Sequence, residues 1–366
     1  MEKVGYALPI MKRVPTDGRR SSKIQRRHGR IPFAIHTAIM PTAMHPLLLT
    51  PLYRRYLWGG RRFTTHLGRD LPPGDDFAEA WELVDHGLDQ SIVAAGPLAG
   101  ATLGALVQQR GDELLGRHSP QTAFPLLFKF LDACRDLSVQ VHPDDGRGAQ
   151  LTPPELGKTE AWYVIDAVPG SRLFAGLRSG TDRASLADAL RAGRCEDVLH
   201  SFEPRPGDCI FIPAGTVHAI GAGLVIAEIQ QSSDVTYRLY DWNRTGPDGK
   251  ARPLHIEAGL ESVSQFVPVG PAEPQPGGDE ATRRLVTCDY FIFEEVRPAG
   301  EWAVGGDDAC HFLAVLSGEF RLSEDWQIPP LTRGVCVLLP ASIGRQVVSA
   351  RPTKGAAPTL LHVALQ

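Results

Sequence analysis

Apolar residues in this chain come in short runs, among them CIFIPAG, GLVIAEIQ, VTYRLYDW, DYFIFEEV, HFLAVLSGEFRL and GVCVLLPA, broken by Gly, Pro and Asp. Punctuation at that interval leaves little room for long helices, whereas strands joined by turns fit it. With 37 Gly and 30 Pro among 366 residues, the punctuation extends along the chain, and the fold expected is mainly β. Helical periodicity predicts exceptions at Ala101–Leu115, Phe124–Ala133 and Ser185–His200, enough for a small helical cap.

Length favours about two domains. The Pro/Gly-rich stretch VPVGPAEPQPGGDE, residues 267–280, is expected to link a first domain, 45–266, to a second, 281–366. In the second, VLSGEF followed by RGVCVLLPASIG echoes WYVIDA followed by PGDCIFIPAGTVH, which predicts a degenerate second copy of one β-barrel unit. Residues 1–44 hold nine Lys/Arg against two acids, a net of +7, so a whole-chain charge of −4 leaves about −11 on the rest. This basic segment reads as a disordered extension, or as a start placed too early with Met40 or Met44 as the true first residue. It lacks the apolar core of a secretory signal and the aromatic interleaving of a nucleic-acid binder. No apolar run approaches the roughly 18 residues of a membrane span. Six cysteines without a C-x-x-C pair read as reduced thiols in a cytoplasmic protein, neither a disulfide framework nor a zinc ribbon.

PAGTVHAIGAG follows the apolar run Cys209–Ile212. Gly207 permits a turn, the run makes a buried strand, and Pro213 and Gly215 shape a bend that would present His218 inward. That turn alone leaves His218 open as a ligand or a structural histidine. LSVQVHPDD shifts the balance, because side chains alternate along a strand and Gln140 and His142 therefore face one ion together. GKTEAWYVID adds Glu160 at the head of another strand. Two imidazoles, one carboxylate and one amide oxygen suit a divalent cation such as zinc, with positions left for water or substrate. The plain alternative is that Gln140 and His142 end a strand while Glu160 pairs with Lys158. In EIQQSSDVTYRLYDWNR, Glu228, Asp234, Arg238, Asp241 and Arg244 follow closely on one another. Lys158, Arg238 and Arg244 beside a metal would suit a phosphorylated substrate; the bland reading is a surface ion-pair network. His45, His86, His200, His255 and His311 have no comparable neighbours and read as surface or structural histidines. No Walker A loop, dinucleotide fingerprint or nucleophile elbow is present.

LSVQVHPDD, GKTEAWYVID, PGDCIFIPAGTVHAIGAG and IQQSSDVTYRLYDW, in that order, resemble the signature segments of the type I mannose-6-phosphate isomerases, metal-dependent enzymes of cupin fold. AEAWELVDH, GPLAG and FPLLFKFLDA fit the same pattern, and the resemblance runs from about Pro46 to the C-terminus. It implies two jelly-roll-like cupin β-barrel units, the second degenerate, and one zinc or other divalent ion per chain on Gln140, His142, Glu160 and His218. It further implies active-site roles for Ser138, Lys158, Glu228, Asp234 and Arg238, with Arg244 near the substrate phosphate. Longer members carry a helical domain between the Glu ligand and the His turn. Here only a short segment separates Glu160 from Gly207, so the likeness is to the short bacterial subgroup. RGVCVLLPASIG has no His after Pro340, so the second unit is expected to be metal-free and structural. The basic extension lies outside the pattern.

The implied reaction interconverts D-mannose 6-phosphate and D-fructose 6-phosphate through a cis-enediol(ate). Glu228 is the first choice for proton transfer and Lys158 the second, with Arg238 stabilising the enediolate. The rivals are a cupin isomerase or epimerase acting on another phosphosugar, and a non-catalytic sugar-phosphate sensor. A full ligand set together with Glu228 and Arg238 weighs against a pure binder, and the phosphate-seeking cations weigh against a cupin dioxygenase. The expected partner is a small phosphosugar, with no nucleic acid or membrane, on a monomer or homodimer.

Overall fold

Alternation along the strands sends apolar side chains to one face and polar ones to the other, and the sheets assemble on those faces. The computed structural model describes residues 43–245, 249–276, 279–323 and 326–366; the extension expected at 1–44 lies almost wholly outside the described residues. A six-stranded antiparallel sheet runs in the order Cys209–Ile212, Glu160–Ala167, Leu224–Gln231, Leu126–Ala133, Phe77–Leu83, Leu52–Gly60. Facing it is a five-stranded sheet in the order Leu199–Phe202, Leu173–Leu177, His218–Ile220, Val139–Val141, Tyr237–Tyr240. Leu131, Trp162, Val164, Ile210 and Ile226 of the first sheet pack on Leu173, Ala175 and Ile220 of the second. On the outer face of the smaller sheet, Val139, Val141 and Leu239 pack against Leu186 and Leu190 of the helix Arg183–Arg191, and the helix Ile256–Ser262 lies beside them. These form the small helical cap.

The second unit repeats the plan. A seven-stranded sheet, in the order Thr282–Thr287, Phe291–Val296, Thr359–Leu365, His311–Ser317, Cys336–Leu339, Leu47–Thr50, Ile92–Val93, faces a four-stranded one, Glu301–Val304, Gln346–Arg351, Glu319–Leu322, Leu331–Thr332. Leu313, Val315, Val337 and Leu360 meet Trp302, Phe320 and Val348 between them. The chain is thus mainly β with few helices, as its punctuation predicts. The two large sheets stand back to back, with the Phe128 and Phe312 rings 4.9 Å apart. Two features depart from a simple two-domain division. Leu47–Thr50 and Ile92–Val93, inside the range 45–266, complete the sheet of the C-terminal unit. The expected linker lies along the sheets: Val269 donates to the Ala175 carbonyl at 3.1 Å and Ala272 to the Cys209 carbonyl at 2.7 Å.

The helix predicted at Phe124–Ala133 is instead the strand Leu126–Ala133. Every residue of this strand is buried because it lies between two packed layers, and two-sided burial erases the polar–apolar alternation that marks a strand in sequence. The Ser185–His200 helix is shorter than predicted. It begins at Arg183 on a reciprocal Asp182–Ser185 cap, stops at Arg191, and gives way to a turn at Cys195–Asp197 and a strand from Leu199. The helix at Leu103–Leu115 agrees with the expectation. Among the described residues no helix is long and apolar enough to cross a membrane. All six cysteines are free.

Strand registers relate the two units residue by residue. Glu160 pairs with Ile212, and Glu228 pairs with both Trp162 and Lys129. At the equivalent places His311 pairs with Leu339, and His362 pairs with both Leu313 and Glu294. His311, His362 and Glu294 therefore take the positions of Glu160, Glu228 and Lys129. They form a chain: Glu294 to His362 Nδ1 at 2.7 Å, His362 Nε2 to His311 Nδ1 at 2.8 Å, and His311 Nε2 to Asp307 at 2.8 Å. Arg284 pairs with Glu294 and Arg117 with Asp307 at its two ends. Burial, then the neighbouring His362 charge, lowers the His311 pKa from its ordinary 6.5 to about 4. A histidine whose pKa is lowered by folding lets the unfolded chain bind the proton first. Stability should therefore be intact above pH about 6.5 and fall by up to about 3 kcal/mol as pH drops to about 4. Urea unfolding of His311→Gln is expected to show a shallower decline over that window; a slope equal to wild type would remove His311 as its source.

Candidate active site

The inner face of the six-stranded sheet changes character along its length. Leu131, Val164, Leu224 and Ile226 occupy one end, and the same alternation brings Lys129, Glu160 and Glu228 inward at the other. From the facing sheet, His218 registers opposite Gln140, and Gln140 opposite Arg238. The turn that delivers His218 depends on Gly215, whose φ of +84° and close approach to Ser264 leave no room for a side chain. The Gly215 N–H donates to the His142 carbonyl at 2.9 Å, tying this turn to the strand end that carries the other imidazole.

His142, Glu160 and His218, each 1% exposed, bring one donor atom apiece within 4.8 Å of one another. His142 Nε2 lies 3.5 Å and His218 Nε2 3.4 Å from the Glu160 carboxylate. Each ring is oriented from behind: His142 Nδ1 donates to the Val235 carbonyl at 2.8 Å and His218 Nδ1 to that of Thr216 at 2.9 Å. With Nδ1 committed as a donor, the neutral ring presents its Nε2 lone pair to the centre. Burial, followed by the Lys158 charge, keeps both rings neutral, lowering His142 well below the ordinary histidine value and His218 to about 3. Gln140 joins the group through its amide nitrogen, 3.2 Å from His218 Nε2. Ligation by its oxygen would require the isosteric amide turned end for end.

Charge at this end of the cavity is unbalanced. The Lys158 ammonium sits among the donors, 3.0 Å from His142 Nε2, 3.5 Å from Glu228 and in direct contact with Glu160. Lys129 lies 3.1 Å from Glu228 and 3.7 Å from Glu79, which also accepts from Trp81 Nε1 at 2.6 Å. Three buried carboxylates, Glu79, Glu160 and Glu228, face two ammonium groups. One negative charge is left over, where burying it uncompensated is costly. Burial and the Glu228 charge raise the Glu160 pKa, an expression of that excess. Burial works the same way on Glu228, but Lys129 and Lys158 overcome it and hold this carboxyl below its ordinary value. Two convergent neutral imidazoles beside a carboxylate, in a pocket one positive charge short, fit a divalent cation.

At the rim, Arg238 Nε donates to the buried Ser138 hydroxyl at 3.3 Å, and its Nη1 to the Pro253 carbonyl at 3.0 Å. Arg244 pairs with Asp241 at 2.5 Å and donates to the Asp136 carbonyl at 2.6 Å. Asp241 also binds Arg252, so one carboxylate gathers two guanidinium groups beside the strand that carries Arg238. Burial first, then Arg252, lowers the Arg238 pKa, the mark of clustered positive charge. Asp234 is exposed, one residue before the carbonyl that orients His142. The structure thus brings Gln140, His142, Lys158, Glu160, His218 and Glu228 together in one group, with Ser138, Arg238 and Arg244 at its rim and Asp234 outside it.

Lys129, Glu79 and Arg252 are the residues the sequence reading passed over. Lys129 had a signal: a lone charge inside the apolar strand LLFKFLDA, on the same face as Leu127 and Leu131. None of these residues lines the open cleft of about 770 Å³ bounded by Arg205, Arg283, Arg284 and Arg297. Three of those arginines are engaged by Glu294 and Glu295.

Residues 47–160 match the family model for the phosphomannose isomerase type I catalytic domain. A probable mannose-6-phosphate isomerase, GmuF, of Bacillus subtilis is 34% identical over 302 residues, covering 82% of this chain and 95% of that protein. The mannose-6-phosphate isomerase of Streptococcus mutans is 35% identical over 300 residues, covering 81% and 93%. The crystal structure of the mannose 6-phosphate isomerase from Bacillus subtilis superposes with a TM-score of 0.78 at 30% identity, over 87% of this chain and 99% of that one.

Proposed function

This chain belongs to the type I phosphomannose isomerase family, and from that premise we propose that it interconverts D-mannose 6-phosphate and D-fructose 6-phosphate with the help of one bound divalent ion, zinc in our reading. The observation that carries the reading is the buried convergence of His142, Glu160 and His218 on one point beside Lys158 and Glu228. Gln140, His142, Glu160 and His218 would hold the ion. When bound, it supplies positive charge that polarises the sugar oxygens.

The remaining work falls to side chains. Converting aldose to ketose removes the proton from C2, places one on C1, and moves a hydroxyl proton from O2 to O1 by way of a cis-enediol(ate). Glu228, held ionised by Lys129 and Lys158, is our choice to take and return the carbon-bound proton, with Lys158 as the alternative base. Arg238 offsets the negative charge of the enediolate, while Ser138, Asp234 and Arg244 bind the substrate, Arg244 nearest its phosphate. We assign the chemistry to residues 45–266 and a metal-free supporting role to 281–366, joined through 267–280, in a cytoplasmic monomer or homodimer.

A coupled assay with mannose 6-phosphate, run before and after chelation and again with zinc added back, tests the reading. Turnover that disappears with the metal and returns with it is expected. A folded, metal-loaded protein without turnover would sink the proposal.

A further inference from the structure

The segment that carries Lys158 is fixed amide by amide. Gly157 N–H donates to Asp145 Oδ1 at 2.8 Å, Lys158 N–H to the Pro143 carbonyl at 3.0 Å, and Thr159 N–H to Gln231 Oε1 at 2.9 Å. Gln231 turns its other end to Asp145, donating to Oδ1 at 2.9 Å, so the amides flanking Lys158 share one support. Glycine at 157 is a condition of this arrangement, because a Cβ there would come within 2.6 Å of the Asp145 backbone nitrogen. The second oxygen of Asp145 accepts the Tyr290 hydroxyl at 2.7 Å. Tyr290 stands in the turn between Thr282–Thr287 and Phe291–Val296, two strands of the C-terminal sheet. Burial opposes the charge on Asp145, yet the bonds from Tyr290, Gly157 and Gln231 hold its pKa below the ordinary value, so it serves as a charged acceptor.

We propose that Asp145 is a positioning residue for Lys158, itself held in place by Tyr290, so that the C-terminal unit takes part in the reaction by fixing the segment that presents the ammonium group. The inference rests on the role given to Lys158 in the proposed function. Lys158 bonds His142, Glu160 and Glu228 at once, and a small shift of its backbone would loosen all three contacts.

The test is a double-mutant cycle in the metal-loaded full chain. Asp145→Ala is expected to lower kcat by roughly 10- to 100-fold, the range of supporting partners around such sites, with KM changed by less than about threefold and metal content unchanged. Asp145→Asn, which keeps an acceptor oxygen, should recover most of that loss, and Tyr290→Phe, which removes only a hydroxyl, should lose about 10-fold, the low end of that range. In a Lys158→Ala background Asp145→Ala should change kcat by less than about twofold, because the group it positions is gone. Wild-type kcat in both Asp145→Ala and Tyr290→Phe, or an equal fold-loss with and without Lys158, would overturn the proposal. A Lys158→Ala enzyme with undiminished kcat would instead remove the role of Lys158 on which it rests.

Discussion

Replacing His218 by alanine is expected to strip the protein of metal and of turnover in one step. His218 is one of three buried donors that converge within 4.8 Å, and its ring is fixed from behind by the Thr216 carbonyl. Among the described residues the group holds one other imidazole, His142, which already stands as the second nitrogen donor. Losing one ligand should weaken metal binding by more than about 100-fold, beyond the 10- to 100-fold typical of removing a mere supporting partner. The ring also packs against Trp162, centroids 5.3 Å apart, and against His142 at 4.8 Å, so the variant leaves a small void. That void should cost about 2–3 kcal/mol, less than the 5–15 kcal/mol by which domains are usually stable, and the protein should still fold. Metal content after dialysis, a thermal melt and the coupled assay together decide the matter. A folded variant that keeps full metal and activity would contradict the ligand assignment.

Glu228→Gln separates chemistry from metal binding. The amide has nearly the shape of the carboxylate and can still accept from Lys129, but it cannot take a proton from carbon. Turnover should fall by about 10²- to 10⁴-fold, the usual span for removing a general base, while metal content stays near wild type. The same change lowers the surplus of buried negative charge, since Glu228 is one of three carboxylates, with Glu79 and Glu160, that face only Lys129 and Lys158. Stability should therefore change little, or rise in the metal-free protein. Near-normal kcat would take Glu228 out of the base role and leave Lys158 as the candidate.

How far the sequence could be read depended on whether a residue's neighbours were local. Gln140 and His142 are two apart on one strand, so their shared face followed from pleating alone. Glu160 and His218 were legible because each begins a strand after a turn whose Gly, Pro or Lys could be seen. The rim was harder. Arg238 was expected in an apolar context and lies beside Ser138, but the use of Asp241 to gather both Arg244 and Arg252 depends on a loop closure that no spacing announces. Phe124–Ala133 was misread as a helix because it lies between two sheets, and apolar packing on both faces leaves its sequence without the alternation that marks a strand. The pairing of Leu47–Thr50 with Cys336–Leu339 spans nearly the whole chain, a contact set by tertiary packing rather than local pattern.

The histidine chain of the C-terminal unit has a consequence that comes from counting hydrogens. Three contacts of 2.7–2.8 Å join Glu294, His362, His311 and Asp307, and each needs one hydrogen between its heavy atoms. Two neutral imidazoles bring one N–H apiece, and both are spent on the carboxylates at the ends. The middle contact would then set two bare lone pairs 2.8 Å apart, which repel. Two neutral rings therefore satisfy two of the three contacts at a time, and closing all three would take a further hydrogen that charges the pair. At the register positions of Glu160 and Glu228, the C-terminal unit thus carries two imidazoles whose four nitrogens face each other and two carboxylates, leaving none turned toward an ion.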